Sequence, residues 1–550
     1  MVLHTKAATL LAMSRLLSNR FCAKFSLLAA RQSSWLLPGV GARETRRVFI
    51  QQQRRYLGGS NIPFSKYWAK SRIWLCVAGV GIALAVGLEY RTETANSLCI
   101  NKVTEAEKTD TARYSTAIKV SRDLVERIKI EVGAPGLVVG VSVDGAQVWC
   151  EGIGYADLEN RVPCSPETVM RIASISKPLT SVAAARLCEE GKLDLDVPVQ
   201  KYVPEFPQKQ FDGQDVTITP RMILSHLSGI RHYEKDAKKV KEDKEKAKRL
   251  LKLPVKENVK DKEKKDKALT EQNSKDKEAT QAHKKKEYEY EYDEYYLKDK
   301  FNSVTHALDL FKDDPLIFKP GTTFLYSTHA FTLLSAVVER AAGQRFLDVM
   351  MNMFHELGMH NTVPDENDPI IYHRSRYYHL SKRGCVVNCP YIDNSYKWAG
   401  GGFLSTVPDL LLFGNVLLYS YQVAHLEDNT GLLPGFLKPK TAIDLWAPVD
   451  NTEPSWDKDG LYAQGWLVVE KLQKYGQCRK RRHYMSHTGG AVGASSVLLV
   501  LPSEEIDQHQ GRTPFLPQGV VVTILTNMQS VGLHSTALKV AHEFDKARSL

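Results

Sequence analysis

Residues 171–180 read Arg-Ile-Ala-Ser-Ile-Ser-Lys-Pro-Leu-Thr, and the rest of the chain can be interpreted outward from this stretch. It predicts a sharp entry into a helix that ends at Gly191. Ser174 suits an N-terminal position, and Pro178 is tolerated in a first helical turn. Because residues three apart lie on one face of a helix, Ser174 and Lys177 are expected to be neighbours.

This pair of side chains is suited to nucleophilic catalysis. A serine hydroxyl is a weak nucleophile until a neighbouring base takes its proton. A lysine held away from water loses its charge readily, so Lys177 can accept the Ser174 proton, or can stay charged and lower the pKa of another base. The helix N-terminus adds N–H groups for an oxyanion. The S-x-x-K pattern is common, however, and recurs at Ser274 with Lys277 and at Ser455 with Lys458.

The length of 550 residues allows two or three domains, and 43% hydrophobic residues are enough for a large core. The net charge of +11 comes from the first 72 residues, which contain 13 Lys or Arg and one acid, Glu44. We therefore do not interpret the charge as nucleic-acid binding, and no zinc-finger, homeodomain or RNP-type signature accompanies it. Nine scattered cysteines do not have the spacing of a disulfide scaffold.

The N-terminal composition predicts mitochondrial import. Residues 1–62 are rich in Arg, Ser, Leu and Ala, which is typical of a transit peptide. Within residues 63–90, the uncharged run 73–88 predicts a membrane anchor, although 16 residues span only about 24 Å of a core about 30 Å thick. A buried helix is the alternative. Basic residues crowd the N-terminal side of the run, so we expect that side in the matrix and the remainder in the intermembrane space. Residues 91–114 are a polar linker, where a second cut would release a soluble domain.

A catalytic domain is predicted over residues 115–233 and 301–545. It begins with an amphipathic helix, Ser115–Glu131, and a hairpin that turns at Asp144-Gly145. The pattern indicates a short helix over 219–229, a strand over 323–326, a helix over 332–340, strands over 495–501 and 519–526, and a helix from about 535.

Residues 234–300 interrupt this domain. They contain 22 basic and 18 acidic side chains and little apolar material, which predicts a charged, mobile insertion. Parts of it can form a helix through Glu and Lys pairs. The tyrosine-rich end, residues 288–296, is a candidate for docking on the domain or on a partner.

Two sequences resemble metal or redox sites, but their spacing argues against both. Cys385 and Cys389 could form a local disulfide or half of a metal site, yet no second pair completes one, so buried thiols are the favoured interpretation. His355 and His360 are five positions apart rather than four, so they are expected to diverge around their helix, which Gly358 interrupts.

The order of several motifs resembles that of the class C β-lactamase and penicillin-binding-protein family. The motifs are residues 168–180, 191–196, His226-Leu227-Ser228-Gly229, Pro320-Gly321 with Tyr326-Ser327-Thr328, Leu357-Gly358-Met359, Gly400-Gly401-Gly402 and His487-Thr488-Gly489-Gly490. The resemblance covers roughly 116–233 and 301–545. It implies an α/β (α+β) fold of the β-lactamase/transpeptidase type, with an antiparallel sheet flanked by helices and a mostly helical subdomain.

The resemblance also implies roles for particular residues. Ser174 is the acylated nucleophile, Lys177 its activating amine, and Tyr326 the phenol that relays a proton to the leaving group. His487, Thr488 and Gly489 lie on the strand beside the cleft, and the backbone N–H groups of Ser174 and Gly490 form the oxyanion hole. We expect a charge on Lys177 to favour the phenolate of Tyr326.

Two positions depart from the family pattern. Thr328 stands where the family usually has Asn, and His487 where β-lactamases commonly have Lys. A neutral imidazole attracts a substrate carboxylate less than an ammonium does, so β-lactam turnover is not expected, whereas acyl transfer is retained.

The sequence therefore predicts a membrane-anchored mitochondrial serine hydrolase that uses no metal or organic cofactor and acts on a peptide or small acyl substrate. Peptidase activity is the first choice, and amidase or esterase activity comes next. A structural scaffold of the intermembrane space with a vestigial site, and a sensor that acylates without deacylating, are the alternatives. The transit peptide, anchor and charged insertion resemble a mitochondrial branch of the family, which implies self-assembly into long homo-oligomers or filaments.

Overall fold

A computed structural model describes residues 113–252, 292–457, 459–473, 480–506 and 514–549. Its main element is an eight-stranded sheet in which every neighbouring pair of strands is antiparallel. A three-stranded sheet and three two-stranded sheets complete the strands of this described part. The segments with transit-peptide and anchor character lie outside the described residues.

The helices are α1 (Ser115–Glu131), α2 (Ser176–Glu189), α3 (Pro220–Leu224), α4 (Ala237–Lys252), α5 (Tyr292–Tyr295), α6 (Thr328–Ala342), α7 (Phe346–Leu357), α8 (Trp398–Gly401), α9 (Val407–Ala424), α10 (Pro439–Leu445) and α11 (His534–Arg548). The strands are β1 (Gly136–Val143), β2 (Ala146–Asp157), β3 (Val162–Pro163), β4 (Met170–Arg171), β5 (Lys209–Phe211), β6 (Gln214–Val216), β7 (Val363–Pro364), β8 (Tyr378–Leu380), β9 (Val386–Asn388), β10 (Phe403–Ser405), β11 (Leu461–Tyr462), β12 (Leu467–Val469), β13 (Leu472–Gln473), β14 (Lys480–Arg481), β15 (Tyr484–Ala491), β16 (Ala494–Pro502) and β17 (Gly519–Thr526).

The strand order of the eight-stranded sheet is β11-β12-β15-β16-β17-β1-β2-β3, and that of the three-stranded sheet is β4-β10-β7. The central strands of the large sheet are apolar on both faces because helices cover both sides of it. Strands β1, β16 and β17 are buried along their whole length. Alternate residues point to opposite faces, so Val138 and Val139 belong to different cores. Helices α1 and α11 cover one face, and α9 packs against the other. The core on the α9 side of the sheet is the larger, and helix α2 runs through it.

Local sequence signals explain several boundaries. At the β1–β2 hairpin, Asp144 and Gly145 both have positive φ, +50° and +83°, as a tight hairpin turn of this type requires. Helix α6 begins where the Ser327 hydroxyl accepts a hydrogen bond from the Ala330 N–H, and it ends at Gly343, which has φ of +65°. These are the signals on which the sequence predictions relied.

Several predicted elements agree with the structure and others need correction. Helix Ser115–Glu131 and strand Gly519–Thr526 have the predicted limits. Residues 323–326 are not a strand, because their backbone packs as an irregular segment against the Ile223–Gly229 region. The helix expected from Ser174 begins at Ser176, after a 3-10 turn over Ala173–Ile175.

The insertion is described only at its two ends. Its first part forms the charged helix α4, as the Glu and Lys pattern indicates, and its last part contains the short helix α5. Among the described residues, no helix has the length and apolar character needed to cross a membrane. The membrane anchor therefore stays a prediction.

Candidate active site

Ser174 lies in the 3-10 turn between the short strand β4 and helix α2, with its side chain partly exposed to a cavity. Its neighbour Ala173 has φ of +48°, a conformation that a non-glycine residue adopts only when the surrounding structure holds it. The buried Arg171 braces this turn, because its Nε lies 2.7 Å from Asp365 Oδ2 and its Nη1 donates to the Val492 carbonyl at 2.8 Å. The turn is thus held against two other parts of the chain.

Lys177 follows one turn later, and its side chain is completely buried. Its Nζ lies 3.2 Å from Ser174 Oγ, 3.4 Å from Thr328 Oγ1 and 2.6 Å from the Gly400 carbonyl oxygen. Burial, and next the positive charge of Lys397, lower the pKa of Lys177 well below its usual value. A neutral amine at this position can accept the Ser174 proton.

Tyr326 lies just before α6 and lines the cavity together with Ser174. Lys177 Nζ is 4.6 Å from the centroid of the Tyr326 ring. Burial raises the pKa of Tyr326 above its usual value, and its interaction with the Ser174 side chain opposes this only in part. These pKa shifts do not support the expected phenolate of Tyr326, because the buried site disfavours the charged forms of both Lys177 and Tyr326.

His226 holds the Tyr326 segment in place, although the sequence suggested no role for it beyond its motif. Its ring centroid lies 4.4 Å from that of Tyr326, and its Nδ1 accepts a hydrogen bond from the Ser327 N–H at 3.1 Å. Its carbonyl accepts from the Leu325 N–H at 2.8 Å. Burial, and next the charge on Lys177, lower the pKa of His226 well below its usual value, so it is a neutral packing group.

Strand β15 forms another wall of the cavity through Thr488, Gly490 and Ala491. Gly489 points the other way, against the Ser174 turn. A Cβ atom at Gly489 would lie 2.4 Å from the Ile172 carbonyl oxygen and 3.0 Å from Ala173 Cβ. Only glycine allows this close approach of strand and turn.

His487 is buried and makes hydrogen bonds through both ring nitrogens. Its Nδ1 lies 2.7 Å from the Thr488 carbonyl oxygen, to which it donates, and its Nε2 accepts from the Tyr462 hydroxyl at 2.8 Å. Burial, and next the charge on Lys177, lower the pKa of His487 to about 3. His487 is therefore a neutral imidazole at physiological pH, in agreement with the expected weak attraction for a substrate carboxylate.

Thr328 is the first residue of α6 and lines the cavity together with Ser174. Besides its contact with Lys177, its backbone N–H donates to His232 Nδ1 at 3.3 Å. The cavity in front of Ser174 has a volume of about 240 Å³. Its walls contain the following side chains for which the sequence suggested no role: His232, Tyr233, Tyr295, Lys397 and Trp456.

The insertion supplies one of these walls. Its last part is anchored through Glu294, whose carboxylate receives two hydrogen bonds from Arg231, at 2.8 and 3.0 Å, and lies 2.9 Å from His329 Nε2. Burial opposes the charge on Glu294, but the hydrogen bonds from His329 and Arg231 outweigh it and hold the pKa of Glu294 far below its usual value. The next residue, Tyr295, faces the cavity. The tyrosine-rich end thus docks on the domain.

The competing sequence patterns that fall on described residues do not form comparable sites. The rings of His355 and His360 lie 5.8 Å apart, so the prediction that they diverge was wrong: α7 ends at Leu357, and Gly358, with φ of +77°, turns the chain back. The described residues contain no group of three potential metal ligands. Cys385 and Cys389 are free thiols, and Cys385 is exposed rather than buried. Ser274, Lys277 and Lys458 lie outside the described residues.

Comparison with known proteins places this geometry in context. Residues 121–542 match the family described as Beta-lactamase. The chain is 60% identical over 447 residues to the human serine beta-lactamase-like protein LACTB, mitochondrial, covering 79% of this chain and 81% of that protein. The mouse protein of the same name is 59% identical over 450 residues, covering 79% and 82%.

Solved structures show the same fold at low identity. The hydrolase EstCE1, described as having promiscuous acyltransferase activity, superposes with a TM-score of 0.53 at 20% identity and covers 78% of this chain and 98% of its own. The octameric penicillin-binding protein homologue from Pyrococcus abyssi gives a TM-score of 0.52 at 20% identity and covers 76% of each chain. The predicted β-lactamase/transpeptidase-like fold and the family resemblance are confirmed.

Proposed function

This chain belongs to the beta-lactamase family, whose fold is that of serine hydrolases, and we propose from this premise that it is a peptidase that works through an acyl-enzyme on Ser174. One observation carries the proposal: the amine of Lys177 is completely buried 3.2 Å from Ser174 Oγ, and its pKa is lowered. An uncharged amine at that distance is a general base for the serine hydroxyl.

In the proposed reaction, Ser174 Oγ attacks the substrate carbonyl while its proton moves to Lys177 Nζ. The backbone N–H groups of Ser174 and Gly490 stabilise the oxyanion of the tetrahedral intermediate. Tyr326 acts as a neutral phenol, passing a proton from Lys177 to the leaving amine. A water molecule then attacks the carbonyl of the acyl-enzyme, a proton returns to Ser174 Oγ by the reverse of these transfers, and the acid product leaves. His487, Thr488, Gly489 and Thr328 shape the cleft.

The same machinery can act on esters and simple amides, so amidase or esterase activity is the next proposal. A panel of fluorogenic peptides, anilides and aryl esters separates these reactions. Peptidase activity predicts turnover of the peptides and anilides by the wild-type chain, and none by the Ser174→Ala variant. Turnover of aryl esters alone would support the esterase proposal instead.

For the location, we propose the mitochondrial intermembrane space, with residues 73–88 as an inner-membrane anchor that is either retained or removed by processing. The location in the names of the human and mouse relatives supports a mitochondrial protein. Protease protection of isolated mitochondria, before and after rupture of the outer membrane, tests the compartment. Extraction with carbonate tests the anchor.

Self-assembly into homo-oligomers or filaments is a second proposal, in which the catalytic site is secondary. Ile370 and Tyr372 lie in one loop and are 88% and 81% exposed, which favours association because large apolar groups gain from burial. If assembly is the purpose of the protein, Ser174→Ala leaves both sedimentation and the cellular role intact. If catalysis is the purpose, the variant assembles but does not support that role.

A sensor that keeps its acyl group would show stable added mass on Ser174 after substrate exposure.

A further inference from the structure

The cavity in front of Ser174 contains a second lysine, Lys397, that the proposed reaction does not use. Lys397 is only 3% exposed and lines the cavity with Ser174. Its Nζ faces two tyrosine rings, with centroid distances of 4.9 Å to Tyr295 and 4.9 Å to Tyr396. Within the described part of the chain, no oxygen atom accepts a hydrogen bond from this ammonium group. A buried ammonium normally has such an acceptor, so this one is available to a ligand.

The carboxylate that acts electrostatically on Lys397, that of Asp365, is already occupied by other groups. Asp365 lies 2.7 Å from Arg171 through one oxygen, and the same oxygen accepts from the Asn394 side chain at 2.5 Å. Its other oxygen is paired with Arg374. Asp365 therefore acts on Lys397 only at a distance, where it partly offsets the effect of Arg171.

The other basic groups around the cavity do not compete for an anion. His487 is neutral and has partners on both ring nitrogens. Burial and neighbouring positive charges lower the pKa of His232 well below its usual value. Lys177 is withdrawn behind Ser174 and already donates to the Gly400 carbonyl. The residue at the position where β-lactamases commonly carry a lysine, His487, thus offers no positive charge. Lys397 supplies a positive group from a different wall of the cavity.

Resting on the function proposed above, we propose that Lys397 binds an anionic oxygen of the substrate, so that the substrates are acyl compounds with a carboxylate close to the scissile carbonyl. The rings of Tyr233, Tyr295 and Trp456 form the apolar walls for the rest of such a substrate. On binding, the carboxylate replaces the two ring faces as the partner of the ammonium. A charge-assisted hydrogen bond to a carboxylate is stronger than either cation–π contact.

Burial, and next the charge on Arg171, lower the pKa of Lys397 to about 7. A carboxylate in the cavity favours the protonated form, so ligand binding itself restores the charge.

A pair of covalent probes tests the proposal with the full chain. One is an alkyl fluorophosphonate whose chain ends in a carboxylate, and the other is its methyl ester; both phosphonylate a serine with loss of fluoride. The measured quantity is the ratio of their labelling rates on Ser174 by intact mass. We expect the carboxylate probe to react at least fivefold faster in the wild-type chain. Lys397→Met should abolish this preference, Lys397→Arg should keep part of it, and the exposed control Lys440→Met should behave as wild type.

A binding measurement separates this inference from the proposed reaction. In the Ser174→Ala chain, adipate should raise the melting temperature and the neutral adipamide should not, and adding Lys397→Met should remove the effect. Equal probe ratios in wild type and Lys397→Met, or equal effects of adipate and adipamide, would overturn the carboxylate site even if Ser174 is labelled. A selective adipate effect without any labelling of Ser174 would instead support the site and contradict the hydrolase.

Discussion

Lys177 Nζ lies 3.2 Å from Ser174 Oγ and 2.6 Å from the carbonyl oxygen of Gly400, and burial holds its pKa well below that of an exposed lysine. Lys177→Met should lower the rate of Ser174 acylation by about 10²–10⁴-fold, the usual contribution of a general base. Lys177→Arg should lose as much, because a guanidinium keeps its proton. Fluorophosphonate labelling followed by mass gives both rates, and thermal melting checks that the variants fold. A clearly smaller loss of labelling rate in either variant would mean that a group other than Lys177 is the general base.

The pH dependence of labelling should report the same amine. A lysine whose folded pKa is lowered becomes neutral as pH rises through that pKa, so the rate should rise and then level off well below pH 10.5. The charge of Lys397 lowers the pKa of Lys177, and removing it with Lys397→Met should shift the acid limb to higher pH. Burial lowers the pKa values of His226, His232 and His487 below the usual 6.5, so these groups stay neutral above that pH, whereas Lys397, with a pKa of about 7, titrates within the range. An acid limb that does not move, or moves down, would contradict this electrostatic coupling.

Tyr326→Phe should separate substrates by their leaving groups. An amine leaves only after it gains a proton, whereas a nitrophenolate leaves without one. We therefore expect turnover of an anilide to fall at least tenfold more than turnover of a nitrophenyl ester. Equal losses on both substrates would mean that Tyr326 acts by positioning Ser174, beside which it lines the cavity, and not by proton transfer.

Gly489 and Gly490 offer a matched pair of substitutions in strand β15. A Cβ at Gly489 would lie 2.4 Å from the Ile172 carbonyl oxygen, so Gly489→Ala must push the Ser174 turn away. We expect a loss of about 1–3 kcal/mol in the free energy of unfolding and a large loss of labelling. Nothing lies within 4 Å of a Cβ at Gly490, and Gly490→Ala keeps the N–H, so its stability should be close to wild type. Similar melting temperatures for the two variants would contradict the close approach.

Glu294 should contribute to stability although it belongs to the insertion. Glu294→Ala removes the bidentate partner of the buried Arg231, which keeps its ion pair with Asp314, so the loss should be about 1–3 kcal/mol. The control is Glu205→Ala, whose pair with Arg340 is about half exposed and should be worth about 1 kcal/mol or less. Denaturant unfolding measures both. If the two variants lose the same small amount, this end of the insertion does not anchor on the domain.

The pair at the centre of the site was predictable because its geometry is local. Ser174 and Lys177 are neighbours through helical spacing alone, even though the helix begins two residues later than expected. Tyr326 was predictable only through its motif. The sequence shows no contact between Tyr326 and His226, and the strand expected over residues 323–326 was wrong because tertiary contacts with the His226 segment outweigh local strand propensity.

Lys397 and Tyr295 could not be found in this way, because tertiary packing brings them to Ser174. Gly400, close to Lys397 in sequence, is 223 positions from the Lys177 side chain that it contacts. A signal existed in each case: Lys397 stands just before the Gly400–Gly402 run, and Tyr295 stands in the tyrosine-rich end of the insertion. Neither signal specifies a contact. Because the insertion is so rich in charged residues, its composition also gave no indication that Glu294 is buried.

An activated Ser174 is tested most directly by intact-mass analysis of the full chain after treatment with a neutral fluorophosphonate, comparing wild type with Ser174→Ala and Lys177→Met. We expect one added phosphonyl group on wild type, none on Ser174→Ala and labelling slower by about 10²–10⁴-fold on Lys177→Met. Folded wild-type protein that remains unlabelled, or label that persists in Ser174→Ala, would contradict an activated Ser174.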